Sequence, residues 1–153
     1  MHEKFKPLIT ELHAKYEELI AMPPLRVDTV PKDAPVGGVY LFSSGGDHLY
    51  VGRTKRSLRD RVKDHVCPAD DCPFAWHLAR EATGQSKASY KREGSRADLL
   101  SRPYFRRAYE DAKTRIRKMD VRYVPECDAT RQALLEIYVA VATGAKYNDF
   151  DTH

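Results

Sequence analysis

Cysteine is scarce and odd in number. Cys67, Cys72 and Cys127 are the only three in 153 residues, so they cannot all pair, and free thiols are the expectation. No apolar stretch approaches the ~20 residues that span a bilayer. The first residues, MHEKFKPLITELH, carry acids and a proline where a secretory segment needs unbroken apolar sequence, so a cytoplasmic protein with no membrane partner is expected. A phosphate-binding P-loop would need glycine at 47 and lysine at 53, where the chain has Asp47 and Arg53, and no GxSxG, HExxH or calcium-loop pattern occurs. Internal repeats and low-complexity tracts are absent too. The remaining balance, 42% hydrophobic against 31% charged, is that of an ordinary globular chain of one-domain size.

The formal charge of +4 hides a strong asymmetry. Arg53 to Lys63 holds six basic residues and one acid, and Lys87 to Lys118 holds eleven basic residues and four acids, leaving the rest of the chain at −8. Segregated charge of this kind implies an electropositive surface suited to a polyanion such as DNA, with Lys55, Arg56, Arg59, Lys63, Lys91, Arg92, Arg106 and Arg107 as candidate contacts; the alternative is solvated helix faces. Tyr90, Tyr104, Phe105 and Tyr109 are interleaved among these cations. Helical spacing favours core for the last three, and Trp76 is also read as core.

Residues 3 to 21 repeat Phe5, Leu8, Ile9, Leu12, Tyr16, Leu19 and Ile20 at helical spacing, an amphipathic helix stopped by Pro23-Pro24. Its apolar stripe must pack on the rest of the chain or on a second copy. A connector to residue 35 leads into Val39 to Ser43 and His48 to Gly52, β-type runs joined by the turn Ser44-Gly45-Gly46-Asp47. A basic helix follows from Ser57 to about His65, then a Cys loop, a helix over 74 to 83, a polar stretch over 84 to 96, a helix over 103 to 118, and a strand over 119 to 124. The last helix, 129 to 142, is nearly all apolar and therefore expected to be buried, with Gly144 closing it. The expectation is one α+β fold with a small three-stranded antiparallel sheet and an extra N-terminal helix, divided as 1–35 and 36–153.

Two constellations carry chemistry. Glu136 stands inside ALLEIYVAV, and a carboxylate is almost never buried without a partner, so it faces a cation, either an arginine or a metal ion. In the hairpin, Tyr40 and Tyr50 are separated by nine residues, so paired strands bring two phenols together, while Gly52 opens the strand end to a substrate. Arg61 and His65, four apart, share a helix face. Phenols, an arginine, a histidine and an isolated carboxylate beside a basic surface are a set for phosphodiester chemistry. In HVCPADDC, His65, Cys67 and Cys72 lie close in sequence, but a zinc site would have to recruit His77 or Cys127, against the plainer reading of a loop with incidental thiols.

Gly38-Val39-Tyr40 followed by Tyr50-Val51-Gly52 resembles the signature of the GIY-YIG nucleases, and the likeness continues through Arg61 and His65 to Glu136 and Asn148, covering roughly residues 36 to 149. The resemblance implies a three-stranded sheet flanked by helices and hydrolysis of DNA with one Mg or Mn ion, leaving 3′-hydroxyl and 5′-phosphate ends. It implies that Tyr40 activates the attacking water, that Tyr50, Arg61 and His65 position water and phosphate, that Glu136 holds the metal, and that Asn148 supports the metal shell or the phosphate. The chain departs from many relatives in having Arg53 where they have lysine; a guanidinium stabilises phenolate but cannot take its proton, which shifts the expected proton relay to His65. The spacer between the motifs is slightly short for the family. The expected enzyme is a stand-alone endonuclease of limited sequence specificity on duplex, single-stranded or branched DNA, in repair, recombination or defence, with residues 3–21 offering a homodimer contact for double-strand cutting. The alternatives are a non-catalytic nucleic-acid-binding module of the same fold and a structural interaction protein.

Overall fold

A computed structural model describes residues 1–85 and 91–150; Lys87 and Tyr90 of the second basic segment lie outside the described residues. The fold is α+β, with one three-stranded antiparallel sheet and, among the described residues, six α-helices. Two compact units divide it: Met1–Lys63 with Met119–His153, and Asp64–Lys118.

In the first unit, α1 (Phe5–Ala21) leads through a connector with one 3-10 turn to β1 (Val36–Ser44) and β2 (Asp47–Ser57). Gly45 and Gly46 make the tight turn with φ of 59° and 85°, the left-handed conformation that a two-residue hairpin requires and glycine adopts without strain. The strands are longer than the sequence pattern implied, because the ladder continues past Gly52 through Arg53↔Val39 and Thr54↔Gly38. Helix α2 (Leu58–Asp64) follows directly, with the Ser57 hydroxyl accepting from the Asp60 amide at 3.4 Å. The chain returns to this unit as β3 (Asp120–Pro125), which pairs with β1, giving the order β2-β1-β3.

As the central strand β1 has both hydrogen-bonding edges paired, and Gly37 to Ser43 are all buried. One face carries Val39, Leu41, Val51 and Val124, packed with Leu12 and Leu19 of α1 and with Leu135 and Val139 of the last helix, Ala129–Thr143. The apolar stripe of α1 is thus occupied within its own chain, which removes the argument for a homodimer through residues 3–21. It also moves the division expected at residue 35, since α1 shares its core with the sheet. A second expectation fails at the Ala129–Thr143 helix, where Ile137 is 45% and Val141 77% exposed. A helix against one sheet face buries one stripe, here Gln132, Leu135, Val139 and Ala140, and a helix apolar on all sides gives no sign of which stripe that is.

In the second unit, α3 (Pro73–Thr83) begins at Cys72, whose sulfur accepts from the Ala75 amide, and ends at Gly84 in the left-handed conformation. A short α4 (Arg96–Ser101), capped by Ser95, falls between the polar stretch over 84 to 96 and the helix from 103, where no element was expected. It is followed by α5 (Pro103–Arg117) and completes the numbering, so that Ala129–Thr143 is α6. Trp76 packs against Phe105 and Tyr109 with ring centroids 5.0 and 5.7 Å apart, as expected of core aromatics, whereas Tyr104 is 49% exposed. No helix of the described residues is long and apolar enough to cross a membrane.

Gly52 provides a direct test of the hairpin. A side chain there would collide with the buried Tyr40 phenol, its Cβ falling within 2.2 Å of Oη and 2.3 Å of Cζ. Gly52→Ala should cost about 2–3 kcal/mol in urea unfolding. The same change in a Tyr40→Ala background should be close to neutral, because the colliding ring is gone.

Candidate active site

Strand alternation sorts the candidate residues. Tyr40 pairs with Gly52 and Phe42 with Tyr50, so both phenols belong to the same sheet face, diagonally adjacent. Leu58 of α2 lies on that face too, over Gly38, where an added Cβ would meet Leu58 Cδ1 at 2.9 Å and the Val124 carbonyl at 2.3 Å. The first motif's glycine is therefore needed for close packing. Tyr40 is fully buried, its ring filling the space above Gly52 and meeting Phe42 edge to face at 5.9 Å. That corrects two expectations: the room over Gly52 belongs to the protein's own phenol and not to substrate, and a phenol closed off from solvent is poorly placed to meet an attacking water. Tyr50, partly exposed near the start of β2 and not at its end, is the phenol open to solvent.

Arg53 falls on the opposite face of β2, opposite Val39, where α6 packs. Its Nε donates to Glu136 Oε2 at 3.0 Å, with side-chain exposures of 43% and 19% respectively. The cation that an apolar helix demands for its carboxylate is thus the arginine directly after the second motif. Burial pushes the Glu136 carboxyl above its ordinary pKa, and the charge and hydrogen bond of Arg53, which pull it down, do not cancel that.

Asn148 closes the free edge of β2. Its side-chain oxygen accepts from the Val51 amide at 2.7 Å and its side-chain nitrogen donates to the Val51 carbonyl at 2.8 Å, while the Tyr147 amide donates to the Leu49 carbonyl at 2.9 Å. The amide is engaged by backbone at the centre of the Tyr50-Val51-Gly52 motif, so its function is to hold that strand, in place of the expected metal or phosphate contact.

Arg61 lies within α2, partly buried. His65 directly follows the last residue of α2, one turn on from Arg61, and is 1% exposed with Nδ1 3.3 Å from Cys72 Sγ. A buried imidazole committed to a thiol does not serve as the solvent-linked proton relay expected of it. The basic candidates also divide. Lys55, Arg56, Lys91, Arg92 and Arg107 are exposed and Lys63 partly so, but Arg59 donates to the Val30 carbonyl, and Arg106 grips Asp70 with two bonds of 2.7 and 3.1 Å. Lys113, counted with the second basic segment, is buried over the Tyr109 ring and donates to the Ala69 carbonyl.

Among the described residues no group of three or more His, Cys, Asp or Glu side chains is arranged to hold a metal ion, and the zinc set of His65, Cys67, Cys72 and His77 or Cys127 does not assemble. Glu136 fits a different kind of ion. Mg2+ characteristically keeps several waters and binds through one or two carboxylates plus substrate phosphate, and Glu136 has Oε1 outside its bond to Arg53. No family model, no curated protein and no solved structure matches the chain.

Two outcomes follow from this geometry. Asn148→Ala should cost about 1–2 kcal/mol and hasten hydrogen exchange at the Val51 amide, with the neighbouring β1 amides less affected. Glu136 has a raised folded-state pKa, so its contribution to stability is present at acidic pH and lost as pH climbs through that raised value. Glu136→Gln should therefore melt above the parent protein at neutral pH, with the gap closing on acidification to about pH 4.

Proposed function

We propose that this chain is a divalent-metal-dependent DNA endonuclease of the kind its two tyrosine-glycine motifs resemble. The observation that carries the reading is Glu136, a carboxylate embedded in an apolar helix, largely desolvated, and held by Arg53, the β2 residue directly after the Tyr50-Val51-Gly52 motif. A neutral side chain there would cost less to bury, so a carboxylate at this position is a candidate functional group.

In this reading Glu136 holds a single Mg2+ or Mn2+, which when bound supplies Lewis-acid stabilisation of the charge that develops on the departing 3′ oxygen. Arg61 grips the scissile phosphate with a guanidinium whose planar donors match two phosphate oxygens. Arg53 anchors the Glu136 carboxylate and adds positive charge beside β2. Tyr50, partly exposed, orients water, and Tyr40 supports the strand pair from within the core. Water adds to phosphorus and the bond to the 3′ oxygen breaks, giving a 3′-hydroxyl and a 5′-phosphate. Lys55, Arg56, Lys63, Lys91, Arg92 and Arg107 supply backbone contacts whose strength falls with salt.

One observation favours a second reading, a nucleic-acid-binding module without turnover: the Glu136 carboxylate already has Arg53 as its counter-ion. The experiment that separates the two incubates purified protein with plasmid and with single-stranded, nicked and branched oligonucleotides in Mg2+ or Mn2+. The nuclease reading expects cleavage that EDTA removes and that Glu136→Ala slows at least about 100-fold while DNA binding survives. DNA binding with no metal-dependent product establishes the module, and undiminished cutting by Glu136→Ala overturns the metal assignment.

A further inference from the structure

Within the second unit, α3 and α5 enclose an open-sided groove of about 400 Å³. Its lining is mostly apolar, with Leu78 and Ala82 of α3 and Ala108 and Ala112 of α5. Tyr104 stands at one end, 49% exposed, its hydroxyl accepting from the Gln85 side-chain amide at 3.2 Å, which steadies the ring without covering it. Arg107 and Arg115 stand along the rim, both exposed and neither with an ion-pair partner among the described residues. Asp111 lies between them.

From this arrangement we infer that the groove is a binding site for an unpaired nucleic-acid strand, with one base stacked on Tyr104 and the backbone following Arg107 and Arg115. The inference rests on the reading of this chain as a nucleic-acid enzyme and names its substrate class. An exposed aromatic ring beside unpaired guanidinium groups is the pairing by which single strands are held, because every base has a face to stack and every nucleotide a phosphate to neutralise. Arg107 and Arg115, eight positions apart, are separated by about 12 Å along the helix axis, several times the roughly 3.4 Å rise of one stacked nucleotide, so the rim fits a strand better than a lone phosphate. A base paired in a duplex has no free face for Tyr104, which makes the site selective for unpaired substrate. Asp111 accepts hydrogen bonds and suits the exocyclic amine of a seated base. Of the neighbouring arginines, Arg106 pairs with Asp70, while Arg102 pairs with Asp98 and hydrogen-bonds the Tyr104 side chain, helping Gln85 to hold the ring in place. Arg107 and Arg115 are the α5 guanidiniums on the rim that remain for a ligand.

The test measures binding of the full chain in EDTA, so that strand cleavage plays no part, using labelled oligo(dT), oligo(rU), an abasic strand of equal length and a duplex. Tyr104→Ala should weaken oligo(dT) binding about ten-fold or more, leave the abasic strand and the duplex within two-fold, and be rescued by Tyr104→Phe, which keeps the ring. Arg107→Gln with Arg115→Gln should flatten the slope of log affinity against log salt by about 1.4, at about 0.7 per phosphate released. Tyr104 and both arginines are on the surface, and thermal melts of the variants verify that they fold. Unchanged oligo(dT) binding in the Tyr104→Ala protein, or an equal loss on the abasic strand and the duplex, overturns the stacking site. Tighter binding of oligo(rU) than oligo(dT), lost in the same variants, keeps the groove and overturns the DNA reading. An inactive protein that shows the Tyr104 effect separates failure of the nuclease chemistry from failure of this site.

Discussion

Tyr40 and Gly52 face each other across the β1–β2 ladder, and the phenol ring occupies the volume that any side chain at 52 would need. This contact fixes the hairpin's register, because sliding the ring by one position would place it against Val51 or Arg53. With the register set, Phe42 meets Tyr50 and Val39 meets Arg53, and a slip of one residue would exchange the two faces of β2. Arg53 would then leave α6 and Glu136 would lose its counter-ion. The ion pair is thus a consequence of a packing contact in the middle of the sheet, on the other face.

Glu136 illustrates the balance that follows. Its helix earns its place through Leu135 and Val139 in the core beneath the sheet, and the same apolar setting makes a charge unwelcome. Arg53 offsets part of that cost through one well-formed bond, and burial still dominates. A protein built for stability alone would fill this position with a neutral residue.

Much of this architecture was legible in the sequence where a local rule had one solution. The Gly45-Gly46 turn, the Gly144 helix end, the strand before the last helix and the need of Glu136 for a cation each follow from spacing or from a residue type that permits few alternatives. What escaped was decided by distant parts of the chain. Whether α1 covered its own sheet or another copy depended on the face presented by β1, β2 and β3, and the exposed stripe of α6 depended on which side met them. His65 follows Arg61 by one turn, but its burial against Cys72 was set by the loop and helix that come after it. The capture of Arg106 by Asp70, and of Arg59 by the Val30 carbonyl, removed cations that a count of charges had treated as free. Charge along a sequence reports supply, and ion pairs at long separation determine how much reaches the surface.

Asn148 gives the open strand a partner without adding a fourth strand. Its side-chain amide presents one acceptor and one donor in the geometry of a peptide group, and it meets both backbone groups of Val51. An exposed sheet edge is a template on which a foreign strand can extend the ladder. A single side chain standing in for a peptide takes one rung of that template, and Tyr147 takes the carbonyl of Leu49 beside it. With those two rungs filled, a foreign strand cannot run continuously along β2, so the edge carrying Tyr50 is kept from self-association while the ring itself stays partly open to solvent.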